Sequence, residues 1–275
     1  MSSISEVFDR ASRESRMAFM PFMTAGDPDL AMTAKMLLTL RDAKVDLIEL
    51  GFPYSDPIAD GPVIQASYTR ALDNGITVDG IFATMESLKA QSLPPVLAMV
   101  SFAIIFRHGM AEFVIRAANA GFSGLIVPDL PADEAGDLSS LSKLHGLDLV
   151  QLIAPTTTAK RTQQILSAST GFLYCISVAG TTGVRQELPR ELIDQLKLLR
   201  TQSQLPLAVG FGISNPEQVA ALAGVADGII VGSAIVRRIA EAASAEQAST
   251  TVRAFAERMQ DTVSKTAPSR RNERR

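Results

Sequence analysis

The residues best suited to acid–base chemistry are two carboxylates, Glu49 and Asp60. Glu49 lies in the apolar run 46–52, where the two-residue period of a strand places Glu49 and Gly51 on one face. The bulkier residues fall on the opposite face, so the Glu49 side chain is expected to point into the interior near the carboxyl end of the strand. Burial there raises the pKa of a carboxyl and suits it to exchange a proton near neutral pH. No Arg or Lys occupies an inward strand position, so catalysis is favoured over a structural ion pair.

Asp60 is open to two interpretations. It precedes Gly61 and Pro62, where an Asp can cap the helix that Pro62 opens. It can equally be the second member of a catalytic pair, because two carboxylates of one strand–helix unit can flank a substrate and divide the acid and base roles. Position alone leaves both open.

Glycines late in the chain indicate an anion site. Gly210 and Gly212 follow one predicted strand, and Gly232 with Ser233 follows the next. In barrels the loops after the last two strands commonly bind phosphate esters through backbone N–H groups, and Ser233 adds a hydroxyl donor. The alternative is that these glycines only permit tight turns. Residues 177–185 are small and glycine-rich, which fits a mobile lid, with an inert loop as the alternative.

Other reactive side chains are few. Cys175 is the single cysteine, and its place in a predicted strand indicates a small core residue. The two histidines, His108 and His145, lack cysteine partners, so neither a metal site nor a Ser-His-Asp triad is expected. Every lysine falls in a predicted helix or loop, which disfavours a Schiff-base mechanism.

Eight aliphatic runs separated by helical patterns must position these residues. Strands that alternate with single helices pair in parallel, and about eight such units are typical of a single (β/α)8 TIM barrel, an α/β fold. An open doubly wound sheet is the alternative, but residues 20–26 lack the dinucleotide fingerprint expected after its first strand. The predicted strands are 17–23, 47–52, 96–102, 124–127, 149–153, 173–178, 207–209 and 228–231.

Two segments depart from this regular pattern. Residues 3–15 form an extra amino-terminal helix whose apolar face is expected to cover the bottom of the barrel. A long insertion follows the second strand, running from Pro53 to Asp60, and such loops lie on the catalytic face of a barrel. We expect one barrel domain over residues 1–265 and a flexible basic tail over residues 266–275.

The composition excludes several classes of protein. The 275 residues include 26 Lys plus Arg against 29 Asp plus Glu, and 47% are hydrophobic. These values argue against intrinsic disorder and against binding to a nucleic-acid backbone. No run reaches the roughly 20 apolar residues of a membrane helix, and the first residues lack an apolar signal segment. A cytoplasmic protein that binds neither nucleic acid nor membrane is expected.

Seven segments together resemble the tryptophan synthase alpha subunit family, in order and over nearly the whole chain up to about Met259. The most specific is the run Glu-Leu-Gly-Phe-Pro-Tyr-Ser-Asp-Pro-Ile-Ala-Asp-Gly-Pro at 49–62. The segments are 21–28, 49–62, 127–131, 171–174, 180–183, 209–213 and 232–236.

That family cleaves indole-3-glycerol phosphate to indole and glyceraldehyde 3-phosphate by a retro-aldol reaction in tryptophan biosynthesis, without a metal or organic cofactor. The resemblance implies that Glu49 is the general acid/base at indole C3. It implies that Asp60 accepts the hydrogen bond of the indole N–H as positive charge develops. It also implies an indole pocket formed by Phe22, Met99, Tyr174 and Phe211. The phosphate would bind at Gly183, Gly212, Gly232 and Ser233. Thr182 would bond Asp60 when the lid closes.

The resemblance also implies a partner. The family acts with the tryptophan synthase beta subunit, a pyridoxal-phosphate enzyme on a separate chain, in an α2β2 complex that would be contacted through residues 53–60. One departure stands out: the Tyr-x-Asn usual after the third strand is replaced by Ser101 and Ala103, so the pocket shape and partner contact are expected to differ. The alternatives are a stand-alone indole-3-glycerol-phosphate lyase, a non-catalytic activator of the beta subunit, and another phosphate-sugar barrel enzyme.

Overall fold

The computed structural model describes residues 2–57, 60–176, 190–210, 212–213 and 215–269. Eight parallel strands lie in sequence order and close into a barrel where β8 pairs with β1. This confirms the predicted TIM barrel and excludes the open doubly wound sheet. The strands are β1 Ala18–Thr24, β2 Ile48–Gly51, β3 Val96–Met99, β4 Gly124–Ile126, β5 Asp148–Ile153, β6 Leu173–Ile176, β7 Leu207–Gly210 and β8 Gly228–Val231.

Helices pack around the barrel, and some strands are joined or followed by two of them. The described helices are α1 Ser3–Arg13, α2 Leu30–Asp42, α3 Pro62–Asp73, α4 Val78–Ser87, α5 Phe102–His108, α6 Met110–Ala120, α7 Gly136–Leu144, α8 Ala159–Ala168, α9 Arg190–Gln202, α10 Pro216–Ala220, α11 Ser233–Ala240 and α12 Ala245–Ser264. Both α3 and α4 lie between β2 and β3, so the long insertion leads directly into a helix above the second strand.

The amino-terminal helix covers the bottom of the barrel, as its apolar face predicts. Ile4, Val7, Phe8 and Ala11 of α1 are all buried. The Phe8 ring lies 5.5 Å from that of Phe172, which immediately precedes β6. The helix therefore closes the amino ends of the strands and leaves the opposite end for ligands.

Alternate strand residues fill the barrel, and this alternation places Glu49 inside. Ile48 and Leu50 belong to the outer core beneath the helices. In the ladder Glu49 pairs with Phe22 of β1 and Leu97 of β3, which both belong to the inner core. The predicted orientation of Glu49 is confirmed.

The third strand is shorter than the sequence predicts. The expected span 96–102 is wrong beyond Met99, because Ser101 caps α5 by accepting a hydrogen bond from Ala103 N. The second strand is one residue shorter at each end. The other strand boundaries agree within one residue, apart from residues 177–178 of the sixth predicted strand, which lie outside the described residues.

The first residues of the expected tail are packed. Ser269 Oγ donates to Asp227 Oδ1 at 2.6 Å, and its backbone N–H donates to the Ala226 carbonyl. Residues 270–275 lie outside the described residues, so a free basic tail stays a prediction for that stretch. No helix in the part of the chain that the structure describes is long and apolar enough to cross a membrane.

Candidate active site

Glu49 is a buried carboxyl without a partner among the described residues. Its side chain is 1% exposed, and neither carboxylate oxygen has a hydrogen-bond partner in that part of the chain. Burial, followed by repulsion from the nearby charge of Asp60, raises the pKa of Glu49 from 4.5 to about 8. At neutral pH the group is therefore mostly a neutral acid that can give up a proton and take it back.

Asp60 is not the cap of α3. That position belongs to Gly61, which makes no side-chain cap hydrogen bond, while Pro62 opens the helix as predicted. The capping interpretation of Asp60 is therefore wrong. Burial raises the pKa of Asp60 to about 6, and the Tyr54 hydroxyl, which donates to Oδ2 across 3.5 Å, opposes that rise.

A side chain of α3 holds the backbone around Asp60. Gln65 Nε2 donates to the Asp60 carbonyl at 2.7 Å and to the Pro57 carbonyl at 3.2 Å. Because the loop is fixed through main-chain oxygens, the Asp60 carboxylate stays available. Asp60 and Glu49 lie close enough for their charges to interact, as a catalytic pair requires.

Aromatic side chains occupy space left by inward-facing glycines. A Cβ on Gly51 would lie 2.5 Å from Phe22 Cζ and 2.9 Å from the Tyr68 hydroxyl oxygen, and a Cβ on Gly210 would overlap the Tyr174 ring. Phe22, Tyr174 and Met99 are each less than a tenth exposed and belong to the inner core. Their role in binding a planar apolar ring stays a prediction.

Tyr68 was not identified from the sequence. It projects from α3 into the inner core, and its ring centroid lies 5.5 Å from that of Tyr54. The buried positions Ile64, Ser67, Tyr68 and Ala71 follow helical spacing, so periodicity could have marked Tyr68 as buried. It could not have shown that its hydroxyl reaches Gly51.

Two of the predicted phosphate residues follow the last two strands, Gly212 after β7 and Gly232 after β8. Gly212 has a φ of 86°, a left-handed conformation that favours glycine, and its carbonyl accepts from Gln218 Nε2 at 2.9 Å. Gly232 is the N-cap of α11 and offers no side-chain acceptor to the first N–H groups of the helix. Ile235 N donates to the Gly232 carbonyl at 2.8 Å, which leaves the N–H groups of Ser233 and Ala234 for an anion.

Gly232 also lies beside Phe22, since a Cβ there would lie 3.3 Å from Phe22 Cδ1. The carboxylates, the aromatic wall and these two glycine positions thus share the carboxyl end of the barrel. Thr182, Gly183, Phe211 and the predicted lid at 177–185 lie outside the described residues, so their roles stay predictions.

The Ser101 side chain links two loops of the barrel through hydrogen bonds. Its Oγ donates to Asp129 Oδ2 at 2.6 Å, and Asp129 Oδ1 accepts from Phe102 N at 2.8 Å. These bonds tie the start of α5 to the loop after β4. Within the described ranges, no three His, Cys, Asp or Glu side chains gather where they could hold a metal ion.

Residues 8–264 match the model of the protein family described as Tryptophan synthase alpha chain. The tryptophan synthase alpha chain of Rhodopirellula baltica is 50% identical over 246 residues, 88% of each chain, and that of Synechococcus sp. (strain CC9902) is 48% identical over 88% of this chain and 90% of its own. Tryptophan synthase subunit alpha of Legionella pneumophila str. Paris superposes with a TM-score of 0.88 at 35% identity, over 96% and 99% of the two chains. A chain of Mycobacterium tuberculosis tryptophan synthase superposes with a TM-score of 0.87 at 32% identity, over 95% and 98%.

Proposed function

Because the chain belongs to the tryptophan synthase alpha chain family, we propose that it cleaves indole-3-glycerol phosphate into indole and glyceraldehyde 3-phosphate in the cytoplasm. The observation that carries this proposal is Glu49, a buried carboxyl with no described partner and with a pKa of about 8 at the mouth of the barrel. A group of that kind can act as an acid and then as a base within one turnover.

Glu49 performs both proton transfers. Its neutral carboxyl first protonates C3 of the indole, which places positive charge on the ring nitrogen. The resulting carboxylate then removes the proton of the hydroxyl on the carbon attached to C3. The carbon–carbon bond breaks as that carbon becomes an aldehyde, and the electron pair returns to the ring and restores indole. Glu49 ends the cycle protonated, as it began.

Asp60 stabilises the charged intermediate. Its carboxylate accepts the hydrogen bond of the indole N–H, and this interaction strengthens as the ring becomes positive. A pKa of about 6 keeps Asp60 largely ionised at neutral pH, while Glu49 stays mostly protonated. The separation between the two values supports the division into acid and charge stabiliser.

The remaining residues bind the two ends of the substrate. The indole ring lies among Phe22, Met99, Tyr174 and Phe211, and the phosphate binds backbone N–H groups near Gly183, Gly212, Gly232 and Ser233 together with the Ser233 hydroxyl. Thr182 bonds Asp60 when the lid over the site closes. The free amino end of α11 and the left-handed Gly212 support the phosphate assignment.

The lyase acts with the tryptophan synthase beta subunit in an α2β2 complex, contacted through residues 53–60. Ser55 and Asp56 of this loop are exposed, whereas Asp60 at its end faces the site. Ordering of the loop by a partner would therefore position Asp60 and raise turnover.

The reaction is tested by assaying release of glyceraldehyde 3-phosphate from indole-3-glycerol phosphate. Glu49→Gln keeps size and hydrogen-bonding capacity but cannot carry the proton, so kcat falls at least about a hundredfold while the fold is retained. Turnover like that of the wild type in Glu49→Gln removes Glu49 from the mechanism. A wild-type chain that releases no product is instead an activator or another sugar-phosphate enzyme.

The partner is tested by titrating the beta subunit into the same assay. We expect turnover to rise, and Asp56→Ala to weaken the rise while basal activity stays within about twofold, because the exposed Asp56 lies outside the pocket. Flat turnover at saturating beta subunit identifies a stand-alone lyase. An identical response of wild type and Asp56→Ala excludes Asp56 from the coupling.

A further inference from the structure

Thr24 at the carboxyl end of β1 carries a hydroxyl that the proposed mechanism does not use. Its side chain is 2% exposed, and Oγ1 has no hydrogen-bond partner in the described part of the chain. Phe22, two residues earlier on the strand, belongs to the inner core, so the strand period places Thr24 on the same inner face. The hydroxyl is thus buried at the mouth of the barrel.

Thr24 lies beside the catalytic strand. It pairs with Gly51 across the ladder, one step beyond the Phe22–Glu49 pair. Diagonal neighbours on one face of a sheet lie about 7–8 Å apart, within reach of two groups that contact one ligand. Gly51 has no side chain, and the Phe22 ring and the Tyr68 hydroxyl approach the place where its Cβ would lie.

The Tyr68 hydroxyl, carried by α3, also approaches Gly51. Its oxygen lies 2.9 Å from the position of a Cβ on Gly51. Burial and the nearby Asp60, Tyr54 and Glu49 raise the pKa of Tyr68 well above its ordinary value, so the phenol stays protonated and can donate. Two uncharged hydroxyls from β1 and α3 therefore flank Gly51 next to Glu49.

Packing alone does not explain Thr24. A buried hydroxyl without a partner destabilises the fold, whereas valine has the same shape and leaves no hydrogen-bonding group unsatisfied. A hydroxyl facing a site is accounted for when a ligand supplies the missing bond. An alcohol of the ligand can donate to one of the two hydroxyls and accept from the other. An aromatic ring offers no such pair of groups, and the phosphate is already assigned to the glycine positions after β7 and β8.

We propose that Thr24 and Tyr68 are positioning residues for the hydroxyl groups of the three-carbon chain of the substrate, and that they orient the hydroxyl whose proton Glu49 removes. This inference rests on the proposed lyase function. The phosphate and the indole are bound elsewhere in the site, so Thr24 and Tyr68 select for a hydroxylated chain between them.

The test compares the substrate with indole-3-propanol phosphate, which has the same ring and phosphate but no chain hydroxyls. Thr24→Val and Tyr68→Phe each remove one hydroxyl with little change of shape. With saturating beta subunit, each is expected to lower kcat/KM for indole-3-glycerol phosphate about tenfold. The dissociation constant for indole-3-propanol phosphate is expected to stay within about twofold of the wild-type value. Thr24→Ser retains the hydroxyl and should restore most of the activity.

Each other outcome overturns the inference in a recognisable way. If affinity for the deoxy analogue falls as much as kcat/KM, the residues only maintain the pocket. If kcat/KM is unchanged, or if Thr24→Ser is as slow as Thr24→Val, the hydroxyls do not contact the chain. The proposed function itself fails only if the wild-type chain cleaves no substrate, so the two failures are distinguishable.

Discussion

Two buried carboxylates, one just before β2 and one within it, have opposite surroundings. Asp46, two residues before the strand, is 2% exposed and accepts from Arg16 Nη1 and Nη2, both at 2.8 Å, and from Phe19 N at 3.0 Å. Glu49, inside the same strand, is equally buried and accepts no hydrogen bond from a described residue. Only two residues separate the bonded carboxylate of Asp46 from the unbonded acid of Glu49.

This difference shows how the barrel divides its tasks. A buried carboxylate is tolerated when it is paired and hydrogen-bonded, and Asp46 meets that condition at the bottom of the barrel. Asp227, just before β8, does so as well, with Arg200, Leu207 N and Ser269 Oγ as donors. A carboxyl left without such bonds takes up a proton instead, which suits the catalytic end of the barrel.

The largest expected effect comes from replacing each of the two carboxylates, Asp46 and Glu49, by the corresponding amide. Asp46→Asn removes the buried partner of Arg16 and leaves that guanidinium only the exposed Glu14 among the described carboxylates, so it should lower the free energy of unfolding by about 3–5 kcal/mol. Its kcat per folded molecule should stay within a few-fold of wild type, because the change lies at the bottom of the barrel. Glu49→Gln should instead lower kcat at least about a hundredfold and retain the fold. Urea unfolding and the lyase assay on both variants check this, and equal stability losses in the two would remove the contrast.

The next effect is a pH dependence of stability that belongs to Glu49. Its pKa is 4.5 when exposed and about 8 when folded, so between these values the folded protein holds a proton that the unfolded chain has released. Stability present below pH 4.5 is therefore lost as pH rises towards 8, by about 2–4 kcal/mol. Glu49→Gln lacks this loss.

Urea unfolding from pH 5 to pH 8.5 measures this loss of stability. The difference in free energy of unfolding between wild type and Glu49→Gln should widen as pH rises. The exposed Glu86 supplies the matched control, since Glu86→Gln should give a curve parallel to wild type. Parallel curves for Glu49→Gln as well would mean that Glu49 is not buried as an unpaired acid.

A smaller effect is expected from placing a third carboxylate at the catalytic end. Gly212→Asp sets a negative charge against the substrate phosphate and should raise KM about tenfold or more, with a lesser change in kcat. Gly212→Asn is the control, because it has the same size at the same φ of 86° without the charge. If the Asp and Asn variants have the same KM, the anion binds elsewhere.

The inward orientation of Glu49 on its strand could be predicted from the sequence. Alternation in 46–52 was enough to turn Glu49 inward, because the period of a strand is fixed by its backbone. The capping residue before α3 could not be decided, since Asp60 and Gly61 are both good caps and only the backbone angles separate them. The end of β3 was overestimated because Ser101 and the apolar residues after it suit a strand as well as a capped helix.

Contacts between distant parts of the chain were not predictable. Asp46 and Arg16 are thirty residues apart, and nothing local to either marks the pair. Helical spacing could have marked Tyr68 as buried, but its approach to Gly51 depends on how α3 lies across the barrel mouth. The hydroxyl of Thr24 lacks a described partner only in the context of the closed barrel, which a strand pattern does not contain.

The central claim is that Glu49 is an unpaired acid in the folded protein, and carboxyl-carbon NMR tests it most directly. Protein labelled with 13C at glutamate carboxyl carbons is titrated from pH 4 to pH 9.5, and Glu49→Gln identifies the Glu49 resonance by its disappearance. We predict that this resonance titrates with an apparent pKa near 8. A midpoint near 4.5, the ordinary value of a glutamate, would contradict the claim.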